Sequence, residues 1–402
     1  MRHEAFIYDA IRTPRGRGKT GGKLYEVKPI RLLTTLLGAL TQRQDFDSAR
    51  VDDVIMGVVN PLGEQGSVLP KVAASFCGWS QSVSGLQLNR FCASALEAIN
   101  IAAAKIIAGQ ADMIVAGGVE SMSRVPMGSD GGPWFEDPEV SIETSFVPQG
   151  ISADLIASIG DISREEVDSY AYGSQKRATA AVSTGAFSRS LVPVNDNNGL
   201  TIIDRDELVR PDTTMEKLGA LKPSFERVGK AGFAAIALKK YPQIKELRYV
   251  HTPGNSSAIA DGASAVLIGS EQIGRELGLT PRARIVSGAI LSTEPTIMLT
   301  GPAPATKRVL ERQGIEVKEV DLFECNEAFA AVVLRFMREL QVPADKVNVN
   351  GGAIAFGHPL GATGGMLLGT LLDELERRSL KRGVAALCAG GGMGIATLIE
   401  RV

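Results

Sequence analysis

The chain has 402 residues, of which 44% are hydrophobic and 22% are charged, a balance typical of a soluble globular protein. Its formal net charge of −2 argues against binding to nucleic acid or to an acidic membrane surface. The length exceeds what one simple core needs, so we expect two or three domains. The N-terminal stretch carries Glu4 and Asp9 and no sustained apolar run, so we expect no signal peptide.

Short apolar runs alternate with stretches of helical periodicity, which indicates parallel α/β units. In chain order, the first half contains predicted strands at Ala5–Ala10, Val54–Val59 and Met113–Ala116 and a helix at Leu96–Ile107. The second half contains predicted strands at Ala283–Ala289, Val320–Cys325 and Val384–Cys388 and a helix after His358. Corresponding strands start 278 (283 − 5), 266 (320 − 54) and 271 (384 − 113) residues apart, which predicts a duplication of two related halves.

Between the two halves the character of the sequence changes. Residues 123–150 are rich in Pro, Gly and Ser, and a capping box at Ser163–Glu166 opens a predicted helix that runs to Ala181. Because so long an insert is uncommon without a role, we interpret this region as a lobe that covers the site. The predicted domains are residues 1–121 together with 251–277, an inserted loop domain at 122–250, and residues 278–402.

Two cysteines and a histidine occur where nucleophilic chemistry needs them. Cys92 lies in a polar turn before an amphipathic run, and a helix N-terminus stabilises a thiolate. His358 lies in the glycine-rich stretch 351–365, 266 residues further on (358 − 92), at the matching turn of the second half. We therefore predict Cys92 as a nucleophile and His358 as its general base, in preference to a core cysteine and a structural histidine.

A second thiol follows at Cys388, which ends a predicted strand and opens the glycine cluster 388–394. We interpret Cys388 as an acid and base acting on carbon, with a buried strand-end cysteine as the alternative. Asn326 and Glu327 follow another strand, where they cap a helix, hold a water that binds an oxyanion, or do both. Cys77 and Cys325 are interpreted as core residues.

Several other features limit the function. The four cysteines do not form a disulfide framework, which indicates a reducing, cytoplasmic compartment, and without a CxxC motif no metal site is expected. Residues 351–372 lack charge, but their glycines favour a buried loop and core helix over a membrane span. Residues 117–122 predict a tight turn behind the nucleophile and do not match GxGxxG. A basic run is interpreted as a solvated loop: Arg12, Arg15, Arg17 and Lys19.

Together these residues resemble the thiolase family. The matching stretches follow the family order over nearly the whole chain: RTP (12–14), NRFCAS (89–94), GGVESMS (117–123), GNSSAIADGA (254–263), GPAPAT (301–306), NEAF (326–329), GHPLGATG (357–364) and CAGGGMG (388–394). The resemblance implies the thiolase fold, with two layered α/β halves, each built on a mixed five-stranded sheet, and an inserted loop domain. It also implies a homodimer or a dimer of dimers.

The resemblance also implies a mechanism. His358 would activate Cys92, which attacks the 3-keto carbon of a 3-oxoacyl-CoA, and Cys388 would protonate the acetyl-CoA carbanion and later activate free coenzyme A as co-substrate. Asn326 and His358 would frame one oxyanion hole through a water, and the backbone N–H groups of Cys92 and Gly390 would form the other. No permanently bound cofactor is implied. The remaining carried-over positions are Lys222 and Ser257 near coenzyme A, and Ala328 and Phe329 along the pocket.

The chain departs from the family pattern in two places. Ala95 stands where glycine is common, and residues 146–154 lack the histidine of short-chain biosynthetic enzymes, which favours degradative thiolysis. The motifs are most similar to thiolase β-subunits of bacterial trifunctional β-oxidation complexes, which implies an α-subunit with hydratase and dehydrogenase activities as a partner.

Besides degradative thiolysis, three other functions are compatible with parts of this pattern. A short-chain acetyl-CoA C-acetyltransferase stays open, because residues 123–150 leave the acyl chain length undefined. A decarboxylating ketoacyl synthase would carry a further histidine where this chain has Asn326 and Cys388. A non-catalytic acyl-CoA-binding protein would have lost one of the three catalytic residues, all of which are present.

Overall fold

The computed structural model describes residues 4–402 and contains one large mixed sheet and a two-stranded ribbon. The predicted strands all form, with ends shifted by a few residues. In chain order the strands are β1 (Ala5–Arg12), β2 (Gly16–Arg17), β3 (Asp53–Gly57), β4 (Ser84–Leu88), β5 (Met113–Ser121), β6 (Val194–Asn195), β7 (Thr201–Ile203), β8 (Ala260–Ser270), β9 (Ala283–Ser292), β10 (Leu322–Cys325), β11 (Arg382–Ala389) and β12 (Met393–Arg401).

The strand order of the large sheet is β10-β11-β12-β9-β1-β8-β5-β3-β4, with β2 beside β8. On one side of the centre, β4, β3 and β5 run parallel and β8 and β1 follow antiparallel. On the other side, β10 and β11 run parallel and β12 and β9 follow antiparallel. The two sets meet where β1 pairs with β9. At the position in the second set that is equivalent to β4, there is only a single bridge between Phe323 and Val347. The order therefore repeats, as the predicted duplication requires.

Helices cover the sheet and form the insert. Both helices that the sequence predicts at defined residues are present. The helix predicted from Leu96 begins at Ser94, and the helix that follows the Ser163 capping box runs to Ser183. The α-helices are α1 (Pro29–Gln44), α2 (Leu69–Phe76), α3 (Ser94–Ile107), α4 (Pro133–Glu136), α5 (Pro138–Glu143), α6 (Gln149–Ile159), α7 (Arg164–Ser183), α8 (Met215–Gly219), α9 (Glu226–Val228), α10 (Ala234–Lys240), α11 (Glu271–Glu276), α12 (Pro302–Glu311), α13 (Ala330–Leu340), α14 (Ala353–Phe356) and α15 (Thr363–Arg377).

The apolar core is layered. Helices α3 and α15 share one buried cluster with residues from β1, β5 and β8 of the first half and β11 and β12 of the second half. A second cluster lies between the first half of the sheet and α1 and α2, and a third lies between the second half and α12 and α13. The layers are therefore outer helices, the first half of the sheet, the central helices α3 and α15, the second half of the sheet, and outer helices again. This order confirms the predicted layered α/β class.

Helix α15 explains the uncharged stretch at 351–372. Every residue from Thr363 to Leu375 is buried, so the helix is apolar on all sides because it is packed on all sides. The prediction of a buried loop followed by a core helix is confirmed. Among residues 4–402, no helix is both long and apolar enough to cross a membrane.

Two sequence interpretations are wrong. Gly117 and Gly118 form no turn, because they lie inside β5 and are buried there. The basic run is only partly solvated: Arg12, the last residue of β1, and Arg15, three residues later, are 2% and 4% exposed, because both pack against the segment that contains Asp206. There Asp206 accepts two hydrogen bonds from the Arg12 guanidinium, both 2.8 Å long, and one from the Arg15 backbone N–H.

Candidate active site

Cys92 lies in a tight turn between β4 and α3. Phe91 adopts a left-handed φ of +46°, a strained conformation for an aromatic residue, and its N–H donates to the Asn89 side chain at 2.8 Å. The hydroxyl of Ser94 accepts from the Arg90 N–H and donates to the Phe91 carbonyl. The turn thus holds Cys92 two residues before α3, with 4% of its surface exposed.

His358 lies in the loop between α14 and α15. Gly357 turns the chain with a φ of +90°, and the His358 N–H donates to the Ala258 carbonyl at 2.9 Å. The hydroxyl of Thr363 donates to the Pro359 carbonyl, so it accepts from His358 Nδ1 at 2.6 Å. This network assigns the proton to Nδ1 and leaves Nε2 as the basic nitrogen.

The basic nitrogen of His358 faces a buried amide. Nε2 lies 3.3 Å from Asn326 Nδ2, which acts as the donor in this tautomer. Burial, together with the positive charge of Arg15, lowers the pKa of His358 to about 3. The imidazole is therefore neutral in the resting protein and free to take a proton.

Both thiols are buried at this site and protonated at rest. Burial raises the pKa of Cys92 to about 11, opposed by hydrogen bonds from the Gln149 side chain and the Gly390 backbone. Burial also raises the pKa of Cys388, and the charge of neighbouring Cys92 adds to this effect. Cys92, Cys388 and Gly390 are thus in one place, although 296 residues (388 − 92) separate the two cysteines.

Contacts between the two halves hold the site together. The Glu120 carboxylate, at the end of β5, accepts from the Val59 and Gly361 N–H groups, both at 2.9 Å. A Cβ on Gly118 would collide with the Gly361 carbonyl, so these two backbones are in direct contact. Sequence reasoning assigned no role to Glu120, Thr363 or Gln149, because their partners lie far away in the sequence.

The helix-cap interpretation of Asn326 and Glu327 is wrong. Helix α13 begins at Ala330 with Phe329 as its N-cap residue, and no side chain caps it. Glu327 instead accepts hydrogen bonds from the Tyr170 and Ser174 hydroxyls, both at 2.7 Å, and from the Ile354 N–H. Asn326 is fully buried beside His358, as described above.

The segment 255–258 forms hydrogen bonds with two loops of the second half, the one that contains Ala328 and the one that contains His358. The Ser257 N–H donates to the Ala328 carbonyl at 2.9 Å, directly before the Ala258 carbonyl accepts from His358. Ala328 and Phe329 are buried in the same apolar cluster as Cys388. The structure therefore brings Ser257, Ala328 and Phe329 close to the site, whereas Lys222 is exposed on the inserted lobe.

A cavity of about 230 Å³ opens beside this segment, between the inserted lobe and the glycine-rich loop. Its lining includes Ile354 and Ala258, together with Arg210, Lys217 and the carboxylate Asp212 that is paired with Lys217. Leu221 and Ala258, the neighbours of Lys222 and Ser257, are also among its lining residues. Because the Ala258 carbonyl accepts from the His358 N–H, the cavity lies beside the segment that contacts His358. Over residues 4–402, no group of three or more His, Cys, Asp or Glu is placed to bind a metal ion.

Comparison with known proteins agrees with this geometry. The thiolase N-terminal domain model matches residues 5–237, and the thiolase C-terminal domain model matches residues 279–401. The chain is 41% identical to an Escherichia coli 3-oxoadipyl-CoA/3-oxo-5,6-dehydrosuberyl-CoA thiolase, over 99% of this chain and all of that protein. It is 40% identical to a Serratia proteamaculans 3-ketoacyl-CoA thiolase, over 98% of this chain and 99% of that protein.

A solved structure shows the same fold. The Bacillus anthracis acetyl-CoA acetyltransferase is 33% identical and superimposes with a TM-score of 0.86, covering 100% of this chain and 99% of that one. Members of this family transfer acyl groups with coenzyme A as a substrate and need no permanently bound cofactor. The chain therefore belongs to the thiolase family and is an acyltransferase with thiolase activity.

Proposed function

We propose that this thiolase is a degradative 3-ketoacyl-CoA thiolase of fatty acid β-oxidation, which cleaves 3-oxoacyl-CoA with coenzyme A to acetyl-CoA and a shortened acyl-CoA. The observation that carries the proposal is the convergence of two buried thiols and a neutral imidazole at one site. Relatives named 3-ketoacyl-CoA thiolase, at 37–40% identity over 98–99% of the chain, support the substrate class.

In the first half-reaction, Cys92 transfers its proton to His358 Nε2 as its sulfur attacks the 3-keto carbon. The N–H groups of Cys92 and Gly390 and the pair Asn326 and His358 form the two oxyanion holes of the cycle. The C2–C3 bond then breaks, its electron pair remains on C2 as the acetyl-CoA carbanion, and the Cys388 thiol protonates it. Acetyl-CoA leaves, and the acyl group stays on Cys92 as a thioester.

In the second half-reaction, the Cys388 thiolate takes the proton of the coenzyme A thiol, whose sulfur attacks the Cys92 thioester. The C–S bond to Cys92 breaks, and His358 returns the proton to the Cys92 sulfur. Because both thiols start and finish protonated, the cycle consumes no net proton. The raised pKa of each thiol fits this scheme, since each carries its proton at rest.

Coenzyme A would lie in the cavity described above. Arg210 and Lys217, two of its lining residues, would bind phosphate groups, with Lys217 exchanging its partner Asp212 for the ligand. Exposed Lys222, next in sequence to the lining residue Leu221, would bind the nucleotide end. Ser257 and Ala258 would border the pantetheine arm, and Ala328 and Phe329 the inner wall. These assignments rest on the cavity lining and on the motif matches.

Larger-scale properties follow from the same proposal. We assign residues 1–121 with 251–277 and residues 278–402 to the two halves, and 122–250 to the loop domain, which the repeated strand order supports. The working unit would be a homodimer or a dimer of dimers in the cytoplasm, and the α-subunit of a trifunctional complex, with hydratase and dehydrogenase activities, is the expected partner.

The test is thiolysis and acyl-enzyme trapping on the purified protein. Incubation with 3-oxohexanoyl-CoA and coenzyme A should yield acetyl-CoA and butanoyl-CoA, and omission of coenzyme A should leave butanoyl on the Cys92 peptide in mass spectrometry. Cys92→Ser should abolish both signals, because a hydroxyl with this base is a far weaker nucleophile. The matched control, Cys77→Ser, lies away from the site and should keep both. Label on another residue, or turnover in Cys92→Ser, would contradict the assignment.

A short-chain acetyl-CoA C-acetyltransferase is the second candidate, and the structural likeness to the Bacillus anthracis acetyl-CoA acetyltransferase favours it. The two functions differ in the acyl group that Cys92 accepts. Activity confined to acetoacetyl-CoA would establish the second candidate, whereas cleavage of 3-oxohexanoyl-CoA as well would establish the first.

A further inference from the structure

An aromatic stack crosses the site from the inserted lobe. Trp134, on the short helix α4, lies between Phe91 and Phe146: its ring centroid is 6.4 Å from that of Phe91 and 5.2 Å from that of Phe146. The interplanar angles are 26° and 3°, so the three rings are stacked. Phe91 is the residue directly before the nucleophile, so the stack begins at Cys92.

The edge of the same indole ring touches the second glycine cluster. Gly391 has a φ of +73°, and a Cβ on it would collide with the six-membered ring of Trp134. Gly391 directly follows Gly390, whose backbone group hydrogen-bonds the Cys92 thiol. Trp134 therefore contacts the chain neighbours of both backbone groups that are proposed to bind the oxyanion.

The segment that carries Trp134 is anchored at both ends. At one end, Asn60 Nδ2 donates to Asp130 at 2.6 Å, and at the other, the Thr296 hydroxyl donates to the Ser145 carbonyl at 2.7 Å. The Ser152 hydroxyl, on α6, adds a hydrogen bond to the Thr296 carbonyl. One anchor belongs to each half of the fold, so the indole is held over the site by the body of the protein.

The direction of the acyl chain follows from these contacts. The cavity proposed for coenzyme A is lined by Ala258 and Ile354, and Ala258 contacts His358. A substrate whose 3-keto carbon lies at Cys92 must direct its remaining carbons away from coenzyme A. Phe91 and Gly391, the chain neighbours of Cys92 and Gly390, both contact the Trp134 ring, so this ring is a surface that the acyl chain at Cys92 would meet.

We propose that Trp134 is the end wall of the acyl pocket and restricts this enzyme to short 3-oxoacyl-CoA substrates, of about four to six carbons. A rigid aromatic wall leaves no room for further methylene groups, each of which would otherwise strengthen binding by about fourfold when buried. The inference rests on the proposed function, because it assumes that Cys92 holds the acyl group.

The test is the specificity profile of the wild-type protein, Trp134→Ala and Phe135→Ala for 3-oxoacyl-CoA substrates of four to sixteen carbons. Phe135 is the matched control, since it follows Trp134 on the same helix, is 61% exposed and is stacked on neither Phe91 nor Gly391. We expect wild-type kcat/KM to fall by about tenfold or more from six to ten carbons. Trp134→Ala should raise the ten-to-four-carbon ratio by about tenfold, and Phe135→Ala should leave it unchanged.

Binding of saturated acyl-CoAs, measured by calorimetry, gives a second readout that needs no chemistry. Butanoyl-CoA should bind the wild-type protein more tightly than decanoyl-CoA, and Trp134→Ala should reverse this order. Equal cleavage of four- and sixteen-carbon substrates by the wild-type protein, or an unchanged ratio in Trp134→Ala, would overturn the proposal. If no 3-oxoacyl-CoA is cleaved, the proposed function fails, while the binding order still decides the position of the wall.

Discussion

At the residue scale, the reactive side chains of the site, Cys92 and His358, are both uncharged before substrate binds. Burial lowers the pKa of His358 to about 3 and raises that of Cys92 to about 11, so neither group carries a charge in the resting protein near neutral pH. A buried thiolate–imidazolium pair would carry the desolvation cost of two charges, and the cation Arg15 also disfavours the protonated form of His358. In the proposed mechanism, proton transfer from Cys92 to His358 therefore accompanies the attack on substrate.

This assignment predicts the pH dependence of Cys92 alkylation. Iodoacetamide reacts with the thiolate. At pH values below the thiol pKa, the thiolate fraction rises about tenfold for each unit by which the pH increases. Since that pKa lies at about 11, the alkylation rate should climb from pH 6 to pH 9 without a plateau. The measurement is acid-quenched labelling followed by mass spectrometry of the Cys92 and Cys388 peptides. A plateau near neutral pH would instead reveal a preformed thiolate–imidazolium pair.

At the element scale, strand β1 connects the inserted lobe to the body of the protein. Asp206 lies in the lobe and is 9% exposed, with Arg12 and Arg15 of the β1 segment as partners. Although burial alone would raise it, the two guanidinium groups hold the pKa of Asp206 below its usual range. Arg15 in turn acts on His358, so the ion pair links the position of the lobe to the charge environment of the base.

Removal of Asp206 should therefore destabilise the protein strongly. Asp206→Ala leaves two buried guanidinium groups without their carboxylate, a change that costs about 3–5 kcal/mol in comparable buried pairs. The urea midpoint at pH 7 measures it, with Asp212→Ala as the matched control, because Asp212 is an exposed aspartate of the same lobe paired with Lys217. Similar midpoints for the two variants would show that the buried pair contributes little.

At the scale of the whole molecule, the proposed catalytic residues belong to different halves, and close backbone contacts set their relative position. Cys92 is placed by the first half, whereas His358, Cys388 and Asn326 belong to the second. Gly118 touches the Gly361 loop backbone, and a Cβ on Gly364 would likewise collide with the Leu96 N–H at the start of α3. Glycine at these contacts lets α3 and α15 approach with their N-terminal ends side by side.

Gly118→Ala should consequently impair catalysis by displacing one half relative to the other. The added methyl overlaps the Gly361 carbonyl and the Gly57 carbonyl, and overpacking of this kind costs about 1–3 kcal/mol. We expect kcat to fall by about tenfold or more at a temperature where circular dichroism shows a folded protein. Gly38→Ala is the control: Gly38 is exposed on α1 with open space around it, so this change should preserve activity and stabilise the fold slightly.

Much of this fold could be predicted from the sequence because its main strands are buried on both faces. Strands such as β1 and β5 are continuous apolar runs, which the sequence shows directly. Strand β4 was not predicted, since it lies at the edge of the sheet, is partly exposed and has a polar sequence. Strands β8 and β12 were not predicted either, although both are largely buried, because glycines and polar residues interrupt their apolar runs. The same reasoning failed for Gly117 and Gly118, because glycine in a buried strand serves close packing as readily as a turn.

The site was predictable to the extent that its residues stand in unusual local sequence. Cys92, His358 and Cys388 lie beside glycines or polar turns, which drew attention to them. The groups that position them, such as Thr363 and Glu120, occur in ordinary local sequence and become important only through distant partners. The buried partnership of Arg12 with Asp206 spans 194 residues and has no local signal.

The division of the site between two halves also sets when it can first work. A ribosome adding about 5–20 residues per second completes the 296 residues between Cys92 and Cys388 in about 15–60 s. During that interval the nascent chain has a nucleophile without its base, its second thiol or Gly390. The exposed cysteine then has the reactivity of an ordinary thiol, and cellular acyl-CoA meets no activated sulfur until the second half has folded onto the first.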